Sequence, residues 1–285
     1  MNPVSGRKKA QKVTHALSQR LRRRGHGVRI LETSPDRTEF EARCRTITSE
    51  ERVVCVGGDG TLLYFLNVCR NFHGVAFYGT GTANVMRWEF GLPHDIQSFV
   101  RMLELDRRVI LFPGRLQSGS EFLMMCSFGI DAYVLSLVSQ RLKNRISKVA
   151  FLWPAIKAFW SYPFPEVSLA LDDGRRLKGS LAVITRISRY GGSFILAPQA
   201  DATQKKLHLV VLTKRGRLAT LGFFLRLFWG RAGTAPGVAA AAADSVRVHA
   251  EQGAFFQLDG DYCEEMVSEV RVSGRAISFI IPKTL

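Results

Sequence analysis

The chemistry most legible in this sequence lies in Val53-Val54-Cys55-Val56-Gly57-Gly58-Asp59-Gly60-Thr61. An apolar, β-branched run stops at a glycine pair, and a helical pattern follows at once, as at the end of a buried parallel strand. Gly57, Gly58 and Gly60 let the backbone approach an anion closely and turn several N–H groups toward one point. A helix opening at Thr61 adds its positive end. Asp59 would repel phosphates unless a cation lay between them, and magnesium bridges carboxylate oxygens, phosphates and water. The loop therefore suits a metal-nucleotide. The same residues would also serve as a tight βα turn with Asp59 as helix cap. No Gly-Lys-Ser/Thr follows, so this is not a Walker A loop. A second cluster, Gly79-Thr80-Gly81-Thr82-Ala83-Asn84, ends the next apolar run, and Thr82 and Asn84 could donate to the same anion. Consecutive βα loops lie side by side at the carboxyl edge of a parallel sheet, where ligands bind.

The elements that must position these loops alternate through the first part of the chain. Lys8 to Arg24 has helical period, with Val13, Ala16, Leu17 and Leu21 as its apolar stripe. Strands are expected at Val28 to Thr33, Arg52 to Val56 and Gly74 to Tyr78, and helices at Thr38 to Thr46, Leu62 to Arg70, Ala83 to Phe90 and Asp95 to Leu105. That alternation predicts a parallel sheet flanked by helices. After Gly114 short β-rich runs dominate, interrupted by apolar helices near Ile146 to Trp160 and Arg217 to Trp229. The expected organisation is an α/β domain over 1–114 and a mostly antiparallel β-rich domain over 115–285, with the last strand able to rejoin the first domain.

The 285 residues carry a formal net charge of +16, which asks for an anionic partner: nucleic acid, an anionic membrane surface or a phosphorylated substrate. No zinc-finger spacing, RNP-type aromatic motif or basic zipper supports nucleic acid. Neither a membrane-spanning apolar run nor a secretory core occurs, so a cytoplasmic location is expected. The five cysteines are scattered without a CxxC pair and read as reduced, structural thiols.

Asn2-Pro3-Val4-Ser5-Gly6, Gly57 to Thr61 and Gly81-Thr82-Ala83-Asn84 together resemble the diacylglycerol kinase catalytic-domain family, which includes soluble bacterial lipid kinases and the sphingosine and ceramide kinases. Later echoes are Phe128-Gly129-Ile130-Asp131-Ala132, Tyr190-Gly191-Gly192, Pro198-Gln199-Ala200 and Leu258-Asp259-Gly260-Asp261. The resemblance implies an NAD kinase/phosphofructokinase-like α/β domain followed by the β-rich domain, with ATP and Mg2+ bound in a cleft between them. It implies an ATP-dependent lipid kinase acting on a membrane lipid alcohol such as diacylglycerol. A sphingoid- or ceramide-type lipid kinase and an NAD-kinase-like small-molecule kinase are the alternatives. Asn2, Ser5, Gly57, Gly58, Gly60, Thr61, Gly81, Thr82 and Asn84 would line the nucleotide, Asp59 would meet its magnesium, and Asp261 would be the general base. Read without the resemblance, Asp261 is more readily a hairpin-turn residue. The enzyme would sit peripherally at the inner membrane face, attracted by its positive charge; aromatic clusters at Phe151 to Phe164 and Phe223 to Trp229 could insert there, although each reads more readily as a face buried in the second domain. Three departures stand out. The family carries an apolar strand before Asn-Pro-x-Ser-Gly, whereas Met1 alone precedes Asn2 here, so either the start is placed too late or the sheet is expected to lack its first strand. Pro113 replaces a frequent aspartate. Gln204-Lys205 replaces an Asp-Gly pair tied in some bacterial members to a structural magnesium.

Overall fold

Apolar runs ending in glycine become strands here, and amphipathic stretches become the helices that cover them. The computed structural model describes residues 1–6, 9–138, 152–264 and 267–282. Phe151 and the expected helical start at 146–151 lie outside these, as do Arg7 and Lys8. The chain forms two compact units, Met1–Leu111 with Ala276–Leu285, and Phe112–Arg275.

In the first unit, β1 (Arg52–Gly57) pairs in parallel with β2 (Gly74–Gly79), in a register that sets Gly57 opposite Gly79. The strand Ile277–Ile280, β18 in chain order, lies parallel to β2 and antiparallel to β3 (Arg108–Leu111). Around this sheet stand α1 (Lys9–Arg22), α2 (Arg37–Cys44), α3 (Asp59–Val68), α4 (Val85–Phe90) and α5 (Ile96–Leu105). Val75, Ala76, Phe77, Phe99, Val100 and Phe279 are fully buried and form the core. Val28 to Thr33, expected as a strand, joins no ladder: only isolated bonds hold it, such as Met1 N to Leu31 O at 2.7 Å and Thr33 N to Met1 O at 2.9 Å. Between this segment, α1 and β1 lies a cavity of about 410 Å³, lined by Leu17, Leu21, Ile30 and Val54 among others.

The thiol expectation is overturned for one pair. Cys44 and Cys69 are disulfide-bonded across a sequence separation of 25. Stacking of the Phe40 and Tyr64 rings, 5.1 Å apart, docks α2 on α3 and carries the two cysteines together. Cys55, Cys126 and Cys263 are not disulfide-bonded.

The second unit is built on two six-stranded antiparallel sheets. In chain order its strands are β4 (Gly114–Leu116), β5 (Glu121–Phe122), β6 (Met125–Phe128), β7 (Val167–Leu171), β8 (Arg176–Gly179), β9 (Leu181–Thr185), β10 (Arg189–Tyr190), β11 (Phe194–Ile195), β12 (Leu207–Leu212), β13 (Val238–Ala243), β14 (Ser245–Ala250), β15 (Phe256–Leu258), β16 (Asp261–Cys263) and β17 (Glu269–Val272). One sheet runs β13-β12-β9-β6-β15-β16 and the other β5-β4-β17-β14-β7-β8, while β10 and β11 make a separate hairpin. The continuous strand expected over Glu121 to Ile130 is instead two short strands and the start of α6 (Ile130–Leu137), because Gly129 takes φ +146° and turns the chain. Two further described helices, α7 (Leu152–Ser161) and α8 (Arg217–Phe228), carry most of the exposed apolar side chains. No helix among the described residues is long and apolar enough to cross a membrane.

Candidate functional site

Three turns of the first unit meet at the carboxyl ends of β1 and β2. Gly58 is the N-cap of α3, so Asp59, Gly60 and Thr61 form the first helical turn; Thr61 N already donates to Gly58 O at 2.9 Å, while the N–H groups before it precede the regular helical ladder. The neighbouring turn folds on itself: Asn84, at φ +46°, accepts from Gly81 N at 2.9 Å and donates to Gly81 O at 2.8 Å. Asn84 thus spends its oxygen and one of its two amide hydrogens within its own turn. Its left-handed backbone folds the side chain back to brace its own loop, and Gly81 N is taken as well. Thr82 stays exposed.

Asp59 ties these two turns together. Its Oδ2 accepts from Val85 N at 2.9 Å and its Oδ1 from Met86 N at 3.2 Å. It thus caps α4, whose own N-cap residue Asn84 makes no side-chain cap bond. Burial pushes the Asp59 carboxyl above its ordinary range, while the bonds from Val85 and Met86 pull the other way. The opening turn completes the lattice. Asn2 Nδ2 donates to Thr61 Oγ1 at 3.1 Å, and the Ser5 and Thr80 hydroxyls are 3.1 Å apart. Gly6, at φ +57°, passes so close that an added Cβ would stand 2.3 Å from Thr80 O.

The glycines divide by function. A Cβ on Gly57 would lie 2.5 Å from Thr61, and one on Gly81 would lie 2.8 Å from Gly58 Cα, so the fold itself demands both. Gly58 differs. Its φ is −88°, and an added Cβ would make only an ordinary 3.5 Å contact. Packing tolerates a side chain there, so the bare Cα leaves space beside the open end of α3. A polyphosphate fits such a cradle.

In the second unit, Asp259 and Asp261 part company. Asp259 is buried at φ +46°, and its carboxylate accepts from Leu123 N at 2.9 Å, Met124 N at 3.0 Å and Met125 N at 2.7 Å. It anchors the β15–β16 hairpin. Asp261, two residues on, is exposed at the start of β16. A polar chain that the sequence did not mark as a site reaches the same turn. Tyr190 OH donates to Asp131 Oδ2 at 2.7 Å, and Ser127 Oγ donates to the same oxygen. Gln257 Nε2 donates to Ser127 Oγ at 2.7 Å, and Gly260 N donates to Gln257 Oε1 at 2.8 Å. Burial pushes the Asp131 carboxyl up, opposed by its two hydroxyl donors. The Phe-Gly-Ile-Asp-Ala and Tyr-Gly-Gly echoes were the available signal. Only the fold pairs their residues.

The structural magnesium does not fit at Gln204. Arg186, fully buried, donates from Nε to Phe112 O at 2.8 Å and from Nη2 to Ala202 O at 3.2 Å and to Gln204 O. The Gln204 side-chain amide turns to Asp201 Oδ2 at 3.2 Å. A guanidinium thus gathers the carbonyls of this loop. Desolvation lowers its pKa to about 10, which leaves it charged at neutral pH. No cluster of three or more His, Cys, Asp or Glu suited to a metal occurs among the described residues.

The diacylglycerol kinase catalytic-domain profile matches residues 1–110, and the YegS C-terminal NAD kinase beta sandwich-like domain profile matches residues 124–281. No curated protein matches the chain. A solved diacylglycerol kinase from Bacillus anthracis str. Sterne is similar in fold at TM-score 0.61 and 16% identity, covering 88% of this chain and 84% of its own. A second structure from that organism, assigned to the same enzyme class, reaches TM-score 0.77 at 17% identity over 98% of this chain and 93% of its own. An NAD kinase from Archaeoglobus fulgidus, solved in complex with ATP, follows at TM-score 0.52 and 14% identity, covering 95% and 90%. With both profiles in order along one chain, and a parallel-containing sheet preceding antiparallel ones, this chain belongs to the diacylglycerol kinase catalytic-domain family.

Proposed function

We propose that this chain is an ATP-dependent lipid kinase that transfers the γ-phosphoryl group to a hydroxyl of a membrane lipid such as diacylglycerol. The observation that carries the reading is the contact of two glycine turns at one sheet edge, cross-braced by Asp59 and by Asn2 and Ser5, beside the open first turn of α3. Gly58 and Gly60 would hold the phosphates through backbone N–H groups, with Thr61 beneath them and Thr82 at the rim. Asn2, Ser5, Gly57, Gly81 and Asn84 keep that cradle in shape. Magnesium bound with ATP would supply charge neutralisation at the transferring group, and Asp59 would be its carboxylate while each oxygen keeps its bond from α4. Asp261 would accept the proton of the lipid hydroxyl. Its exposure suits contact with an incoming substrate, and Asp259 fixes the turn beneath it.

Labelled ATP incubated with a total lipid extract, and in parallel with NAD, tests the proposal when products are identified by mass spectrometry. A phosphorylated glycerolipid, lost in Asp261→Asn, is the expected result. Phosphorylation of sphingoid lipids alone would redirect the acceptor. Phosphorylation of NAD alone would overturn the lipid reading.

A further inference from the structure

The outer faces of α7 and α8 lack what a water-facing helix needs. In α8 the buried residues Thr220, Phe223 and Leu227 form one stripe, as a packed helix requires. Leu218, Leu221, Leu225 and Phe228 repeat the same spacing about half a turn away, and all are exposed, Leu218 by 86%. In α7, Ala158 faces inward, while Trp153, Ile156 and Trp160 face out. Neither helix contains an acidic residue, and Lys157, Arg217 and Arg226 are exposed on them. The two surfaces are joined. Arg217 donates from Nε to Phe159 O at 3.2 Å and from Nη2 to Trp160 O at 2.7 Å, with its guanidinium 5.5 Å over the Trp160 ring. Just beyond α8, Arg226, Trp229 and Arg231 line a notch of about 390 Å³.

We infer that α7 and α8 form a monotopic docking surface for an anionic phospholipid bilayer, with Trp153, Trp160, Leu218, Leu225 and Trp229 entering the headgroup–acyl boundary and the arginines meeting lipid phosphates. The charge argues for this occupant. An apolar stripe rimmed by cations and free of carboxylates complements a negative interface, and tryptophan favours the boundary. The surface also leads toward the candidate base. α7 packs on α6 through Tyr133 and Tyr162, rings 5.2 Å apart, and Tyr133 meets Phe255, which meets Tyr262 beside Asp261. This deepens the lipid reading above, but its vesicle-binding test requires neither ATP nor turnover.

Three of the four tryptophans lie on the proposed surface, so Trp88→Phe confines the fluorescence to it. Vesicles of phosphatidylcholine, with or without phosphatidylserine, are floated with the full chain at low and high salt. Expected are flotation only with the serine lipid, loss of flotation at high salt, a blue shift of tryptophan emission and quenching by brominated acyl chains. Leu218→Glu with Leu225→Glu, both at exposed positions, should weaken vesicle binding roughly tenfold or more while the melting temperature holds. Phosphorylation of a dispersed short-chain lipid should persist in that variant as vesicle-borne substrate is lost. Unchanged flotation of the variant, absence of quenching, or loss of a dimer in place of vesicle binding would each overturn the inference.

Discussion

Single atoms decide which residues of the phosphate cradle serve the fold and which serve a ligand. Gly58→Ala meets no steric obstacle, so its melting temperature should equal or slightly exceed that of the parent, because alanine restricts the unfolded chain. Nucleotide affinity, measured by calorimetry, should nevertheless fall about tenfold, since the added methyl occupies the space left for phosphate. Asp131 allows a pH prediction. Its carboxyl is held above the ordinary value of 3.8, so the folded protein keeps a proton that the unfolded chain releases. Its stabilising contribution is complete below that value and is lost as pH rises through the folded pKa. Asp131→Asn should therefore flatten the fall of stability with rising pH that begins near 3.8, as read from urea midpoints. The sequence displayed the glycines because their spacing is local. It could not display the Asp131–Tyr190 bond, whose partners are 59 positions apart, nor the inward turn of Asn84, which depends on a left-handed backbone.

Among elements, the decisive contacts are those between neighbouring turns and helices. Gly81→Ala would drive a methyl to 2.8 Å from Gly58 Cα, backbone against backbone, so neither side can yield by rotating a side chain. Stability should drop by about 1–3 kcal/mol, and nucleotide binding should fall with it, in contrast to Gly58→Ala. Comparing the two variants separates fold from cradle. The α2–α3 disulfide predicts that reduction, or Cys44→Ser with Cys69→Ser, costs about 3 kcal/mol through the longer free loop. Thiol titration of the denatured chain should find Cys55, Cys126 and Cys263 reactive and the other two only after reductant. Helical period and β-branched runs made β1, β2, α5 and α8 readable, because each carries its own pattern. Val28 to Thr33 has the composition of a strand but, among the described residues, bonds backbone to backbone only with Met1, so no ladder extends along it. The stretch from Glu121 onward hid α6, because an apolar run does not reveal where a glycine will turn it.

At the scale of the whole molecule, a buried cation holds the loop where Gln204-Lys205 had put a structural magnesium in doubt. Chelator should leave the melting temperature of the wild-type chain unchanged. Arg186→Met, which strands the carbonyls of Phe112, Ala202 and Gln204, should cost about 3 kcal/mol or more. A chelator-induced drop in the wild type would contradict that assignment. The order of the two folds was legible in the alternation of periods along the chain, since layer architecture follows from pattern. The thread between them carries a consequence of its own. The strand Ile277–Ile280 stands between β2 and β3, although all of the second unit separates it from them in sequence. A ribosome therefore releases β1, β2 and β3 long before the strand that must join them exists. The second unit, being continuous, can mature while the first waits with an unfilled gap in its sheet. A chain truncated after Arg275, which keeps all of the second unit and lacks the returning strand, should present the proposed phosphate cradle to a protease and withhold the second unit from it.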